Sequence, residues 1–183
     1  MTLGRRLPFV FFGLQGLSLV GSRMTSIAVG IQLFHDTGRT TPLLFLSLFN
    51  ELPLLFFGNW IGMAADRWKR KTAVVVGDTG QMACTALIVG CLAAGGGLLW
   101  PLYVIAAAQG LFMALQNAAT NALTPLMVQD KDLDRINSLK ELLFPLAGVI
   151  APSAAGMLYE MSGISGVLAA DLLTFLLGTG GIA

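Results

Sequence analysis

From Leu7 to Leu33 the chain carries a single ionisable side chain, Arg23, and apolar stretches of the same kind recur to the end of the sequence, parted by short polar links. Nothing else in it constrains the fold so strongly. A backbone in hydrocarbon has no water to satisfy its N–H and C=O groups, so such a run must be helical wherever it sits in lipid. Crossing ~30 Å of hydrocarbon takes ~20 residues at ~1.5 Å each. On that measure the sequence predicts six spanning helices, at about 7–33, 43–65, 73–95, 100–125, 137–160 and 163–183. Composition agrees: hydrophobic residues are 55% of the chain and charged residues 11%, where soluble domains carry roughly a quarter charged residues. The first run is too long for an export signal, whose apolar core is ~7–15 residues. The links are brief: His35 to Pro42, Gly95-Gly96-Gly97, Ser162-Gly163, and one sizeable polar loop from Met127 to Ile136.

Lysine and arginine set the orientation, because positively charged loops stay on the cytoplasmic side. Arg5, Arg6, Arg67, Lys69, Arg70, Lys71, Lys131, Arg135 and Lys140 fall on one side, against Arg39 alone on the other. Both ends are therefore expected in the cytoplasm of a multi-pass cell (inner) membrane protein. The basic residues are divided among short loops and form no single patch, so the net charge of +1 says nothing for a nucleic-acid partner, and none is expected. Cys84 and Cys91 share a helical face inside an apolar run and read as packing residues. The single histidine, His35, falls in an outer turn. No paired aspartates, Ser-Lys, HExxH or Ser-His arrangement is present, so neither an enzyme, a metal site nor a cofactor is expected.

Ionisable groups inside spans cost at least ~2.5–3.5 kcal/mol and so mark places of interest. Four qualify: Arg23, Glu51, Asp78 and Asp171. Counting rise from the helix ends puts Arg23 about 15 Å, Glu51 about 12 Å and Asp171 about 12 Å below the outer surface. One layer thus holds all three, and Arg23 is expected to be neutralised by Glu51, Asp171 or both. That layer reads as a proton-sensitive carboxylate site beside a substrate path, or as a structural ion pair fixing helix order. Asp78 lies near the cytoplasmic end of the third helix, within expected reach of Arg67, Arg70 or Lys71. On the fourth helix Gln109, Gln116, Thr120 and Thr124 fall on one stripe, widened by Asn117 and Asn121. Amides and hydroxyls so placed can line a wet cavity or hydrogen-bond between helices. Gly58-xxx-Gly62 and the Ala147, Ala151, Ala155 series let backbones approach, while Pro53, Pro145 and Pro152 bend their helices.

The segment Gly62-Met63-Ala64-Ala65-Asp66-Arg67-Trp68-Lys69-Arg70-Lys71 resembles the signature loop between helices two and three of the major facilitator superfamily. Lys69 stands where that family usually has glycine, which is similar to its macrolide and siderophore exporter branch. Gln109-Gly110, Ala118 to Pro125, the loop DKDLDRINSL and Asp171 to Phe175 resemble that branch in order and spacing. Ala151-Pro152-Ser153-Ala154-Ala155-Gly156 is similar to the antiporter motif of the fifth helix, with alanine in two glycine places. The resemblance implies an all-α membrane fold, the N-terminal six-helix half built from 3+3 inverted repeats, with the C-terminal half absent. In the family, the signature aspartate and its basic neighbours grip a helix of the second half; Gly62, Asp66, Arg67, Arg70, Lys71 and Asp78 are carried over to that gating role. It further implies proton-coupled export of a small amphipathic drug or siderophore, with protons, the bilayer and a missing half or second chain as partners. The alternative is a truncated, non-transporting membrane protein, or a half that works only with a second six-helix chain.

Overall fold

The computed structural model describes residues 7–93, 99–128 and 130–180, and its regular structure there is entirely helical. Five elements follow one another: α1 (Leu7–Thr37), α2 (Thr41–Arg67), α3 (Arg70–Ala93), α4 (Leu99–Met127) and α5 (Asp130–Gly180). Each turn has a local cause. Helix α1 stops at Gly38, whose φ of 64° is open to a residue without Cβ and whose N–H closes on the Phe34 carbonyl at 2.8 Å. Pro42 follows in the first turn of α2, where its missing N–H has no helical partner to lose. Helix α2 ends at Trp68, which is extended and donates its N–H to the Ala64 carbonyl at 3.1 Å.

Helix α5 runs for 51 residues but is interrupted at Gly163, with φ 65° and ψ −168°. The two arms fold back on each other, because neighbouring residues of α1 touch both. The Arg23 guanidinium lies over the Phe144 ring, 4.1 Å from its centroid, and Thr25 donates to Asp171 Oδ2 at 2.6 Å. On one straight helix Phe144 and Asp171 would be about 40 Å apart at ~1.5 Å per residue. Just after the reversal Gly166 faces the Ser162 side chain so closely that any Cβ would collide with it.

Contacts also give the directions. Helix α1 and the first arm run parallel, with Phe12 beside Lys140, Gly16 against Leu143, and Gln32 hydrogen-bonded to Tyr159. The second arm runs antiparallel to α1, pairing Thr25 with Asp171 and Gly21 with Thr174. Helices α3 and α4 are antiparallel, with Arg70 at Ala122, Gly77 at Gln116 and Gly80 at Phe112. Helix α2 lies parallel to α4, where Phe49 stacks on Tyr103 and Asn50 bonds to Ala106. Successive segments therefore alternate in direction throughout.

Three apolar clusters hold this arrangement. Phe11, Phe12, Val74, Leu123 and Ile136 close one end. Val29, Leu33, Leu46, Ile88 and Leu102 close the other. Met24, Ala28, Ala151, Ala155 and Val167 join α1 to both arms of α5. Outward, the surface is greasy: Leu55, Phe56 and Trp60 of α2 and Val149, Met157 and Met161 of α5 are all more than two-thirds exposed. Water would not tolerate such faces, and hydrocarbon suits them.

Two expectations change here. The polar stretch from Met127 to Ile136 is helical from Asp130 on, because Leu133, Ile136 and Leu139 form one face that packs on the first cluster. Asp134 and Arg135 lie on the exposed outer face of this amphipathic start, while Asp132 is buried. His35 likewise belongs to the last turn of α1 instead of a turn beyond it. Among the described residues five elements are long and apolar enough to cross a membrane, against the six segments expected, and the last of them spans 46 residues.

Candidate functional site

Between the apolar clusters lie two buried carboxylates, each shared by three helical segments. Asp78 of α3 is 1% exposed. Gln15 of α1 donates to its Oδ2 at 3.3 Å, and Gln116 of α4 donates to its Oδ1. Gln116 also donates to Gln15 Oε1 and accepts from Gln81 Nε2, each at 2.6 Å. The ring of amides closes because Gly77 lets α3 press against Gln116, whose Cα and N lie 3.0 and 3.1 Å from where a Cβ would stand.

Asp171, on the second arm of α5, has no exposed surface. Its Oδ2 accepts from Thr25 of α1 at 2.6 Å and Thr85 of α3 at 3.3 Å. Its Oδ1 is buried with no hydrogen-bond partner and faces the Gly21 Cα, 2.7 Å from the place of a Cβ. Among the described residues Thr120 Oγ1 is likewise buried without a partner, and the Ser22 hydroxyl is a further group beside the Asp171 carboxyl.

The layer of three charges is not assembled. Arg23 sits on Phe144, Glu51 is exposed on α2, and among the described residues no ion pair joins Arg23 to Glu51 or Asp171. The reason is angular. Gly21 and Thr25, four apart, share the face of α1 that meets Asp171, while Arg23 is ~200° from each at ~100° per residue. Depth puts the groups at one level; rotation points them apart. Asp78 also departs from expectation, since it bonds to the amides and not to the basic turn. Two helical turns separate it from Arg70, which donates to the Ala122 carbonyl instead. Arg67 and Lys71 are exposed, Gly62 meets no other element among the described residues, and the Asp66 side chain lies outside them.

The stripe on α4 is split. Gln109, Gln116, Thr120 and Thr124 are buried between helices, while Asn117 and Asn121 are exposed. Lys140 of α5 reaches across, donating to Asn121 Oδ1 at 2.5 Å and Thr124 Oγ1 at 3.1 Å. Sequence reasoning passed over Gln15, Gln81, Thr25, Thr85 and this role of Lys140. Gln81 could have been found, because it lies one turn from Asp78 on the same face.

Long apolar helices alternating in direction, with hydrogen-bonded carboxylates that have no cationic partner among the described residues, make this a multi-pass helical membrane protein. The chain belongs to the Major Facilitator Superfamily, whose pattern matches residues 11–182. It is 27% identical over 160 residues to the macrolide efflux protein A of Streptococcus pyogenes, covering 87% of this chain and 39% of that protein. With the protein of the same name from Enterococcus faecalis it shares 26% identity over 129 residues, 70% of this chain and 40% of that one. The chain thus spans about two-fifths of the length of the curated relatives it matches. No solved structure matches it.

Proposed function

We propose that this chain supplies six membrane crossings of a proton-coupled exporter of small amphipathic compounds, working by alternating access. The carrying observation is Asp171: a buried carboxylate on the second arm of α5, hydrogen-bonded to α1 and α3, with one oxygen left unpartnered. Loading or removing a proton there changes what three helical segments have to hold, which ties a proton to their packing. The six crossings rest on the reversal at Gly163, since an apolar span of 46 residues would reach about 69 Å as one helix, over twice the hydrocarbon thickness. The charge bias of the loops supports cytoplasmic placement of both ends. The relatives' name supports macrolide-like drugs as substrates, alongside siderophores.

A second reading draws on the bare apolar faces of α2 and α5: the segment acts only with another six-helix body, which in this family would be the other half. The signature-loop residues Gly62, Asp66, Arg67, Arg70 and Lys71 would then grip that body, with Asn117 and Asn121 facing the path.

Whole-cell efflux of a fluorescent amphiphile, with the complete reading frame expressed and a protonophore as control, tests the main reading. Asp171→Asn keeps an oxygen for Thr25 to bond but has no titratable proton, so efflux should be lost while the protein still inserts. Protonophore-sensitive efflux at the unmodified rate would refute the assignment of Asp171. A wild type with no efflux would favour the non-transporting alternative.

A further inference from the structure

We propose that the cleft at the Thr37–Thr41 turn is a headgroup site for an anionic phospholipid. The inference needs only that these helices cross a bilayer, and stands whether or not the chain exports anything. The cleft measures about 560 Å³ and lies where α1 ends and α2 and α4 begin. Its rim is polar: Thr37, Arg39 and Thr41. Its floor is aromatic, with Phe49 and Tyr103 stacked at 5.5 Å between centroids and Phe45 tilted against Tyr103 at 6.0 Å.

Charge decides the ligand. Among the described residues Arg39 has no carboxylate within ion-pair distance, and the nearest acid in sequence is already engaged. Asp36 accepts from Gln32 at 2.8 Å and lies 3.8 Å from His35. The turn is pinned, because Thr37 Oγ1 donates to the Leu33 carbonyl at 2.6 Å and accepts the Arg39 backbone N–H at 3.3 Å. The Arg39 side chain, exposed on a cleft it lines together with the hydroxyls of Thr37 and Thr41, offers the fork by which arginine bonds the oxygens of a phosphate. A lipid fits better than a soluble anion, because below the rim there is only apolar surface. That surface continues along α2 past Leu44 and Leu48, 64% and 48% exposed, where acyl chains can lie. The level is also right, at the end of an apolar run, where headgroups meet water.

The test is native mass spectrometry of the chain released from nanodiscs holding equal phosphatidylglycerol and phosphatidylcholine. One cation near the headgroups favours the anionic lipid about fivefold, and that is the expected retention ratio. Arg39→Gln should bring the ratio to one, Arg39→Lys should keep most of it, and Lys69→Gln, an equal loss of charge at the opposite end, should leave it unchanged. Tyr103→Leu should weaken retention of both lipids, and circular dichroism checks that each variant is folded. Equal retention by the wild type, an unchanged ratio in Arg39→Gln, or a preference for phosphatidylcholine through cation–π contact with the rings would overturn the proposal. So would displacement of the lipid by glycerol phosphate, which carries the headgroup chemistry without the chains.

Discussion

Asp78 and Asp171 are alike in burial and unlike in how they are satisfied, and that difference predicts different responses to substitution. The Asp78 amides form a closed set in which Gln116 is the common member, bonded to Gln15, Gln81 and Asp78. Removing it leaves three polar groups short of a partner, Asp78 and Gln81 buried and Gln15 half-buried, so Gln116→Ala should cost about 1–2 kcal/mol. Unfolding in mixed detergent micelles measures this, and a double-mutant cycle with Asp78→Asn should show coupling; additive effects would mean that the ring is not a unit. Asp171→Leu should be more damaging to stability than Asp171→Asn, since only the amide can still accept from Thr25. At this scale the sequence was half legible. Charged and amide residues inside apolar runs stand out, which is how Asp78, Asp171 and Gln116 were found. Their partners do not, because Gln15, Thr25 and Thr85 look like ordinary polar interruptions until the helices are rotated into place. Arg23 shows the same limit, as depth can be counted along a helix but facing depends on what packs against it.

Elements were easier to read than sites, for a physical reason. A run that must satisfy its own backbone in lipid announces itself over ~20 residues, whereas an amphipathic start such as 130–140 shows loop-like polarity on its outer face while Ile136 is fully buried. Close approach is also written in single residues, and it separates glycines that look equivalent in sequence. At Gly77 a methyl would stand 2.7 Å from the Gln116 Cβ, while at Gly90 nothing lies within 4 Å. Gly77→Ala should therefore destabilise by about 1–3 kcal/mol through overpacking. Gly90→Ala should be neutral or stabilising by up to ~1 kcal/mol from helix propensity. Equal shifts in the two unfolding midpoints would contradict the α3–α4 packing. Gly163→Ala adds a Cβ at φ 65° and ψ −168°, a region essentially confined to glycine, and should cost about 1–3 kcal/mol, read in the same assay.

For the molecule as a whole, alternation of direction is the property from which the rest follows, and it makes a topological prediction that does not depend on transport. The six crossings proposed above would place the turn at Arg39 and the reversal at Ser162 on one side of the membrane and the turn at Lys69 on the other. Arg39, Lys69 and Ser162 are all exposed, so each can carry a single cysteine in a background where Cys84 and Cys91 are replaced by alanine. A membrane-impermeant maleimide applied to intact cells should label positions 39 and 162 and spare 69; in inverted vesicles the pattern should reverse. The Ser162 site discriminates most sharply. Were α5 one long tilted span, that residue would lie within hydrocarbon and react from neither side. Labelling of 162 together with 69 would mean that the first arm does not cross at all, leaving Asp171 stranded on the wrong side of α1. The parallel contacts of α1 with that arm, from Phe12–Lys140 to Gln32–Tyr159, exclude that arrangement in the folded chain, so the labelling asks whether lipid preserves the same pairing.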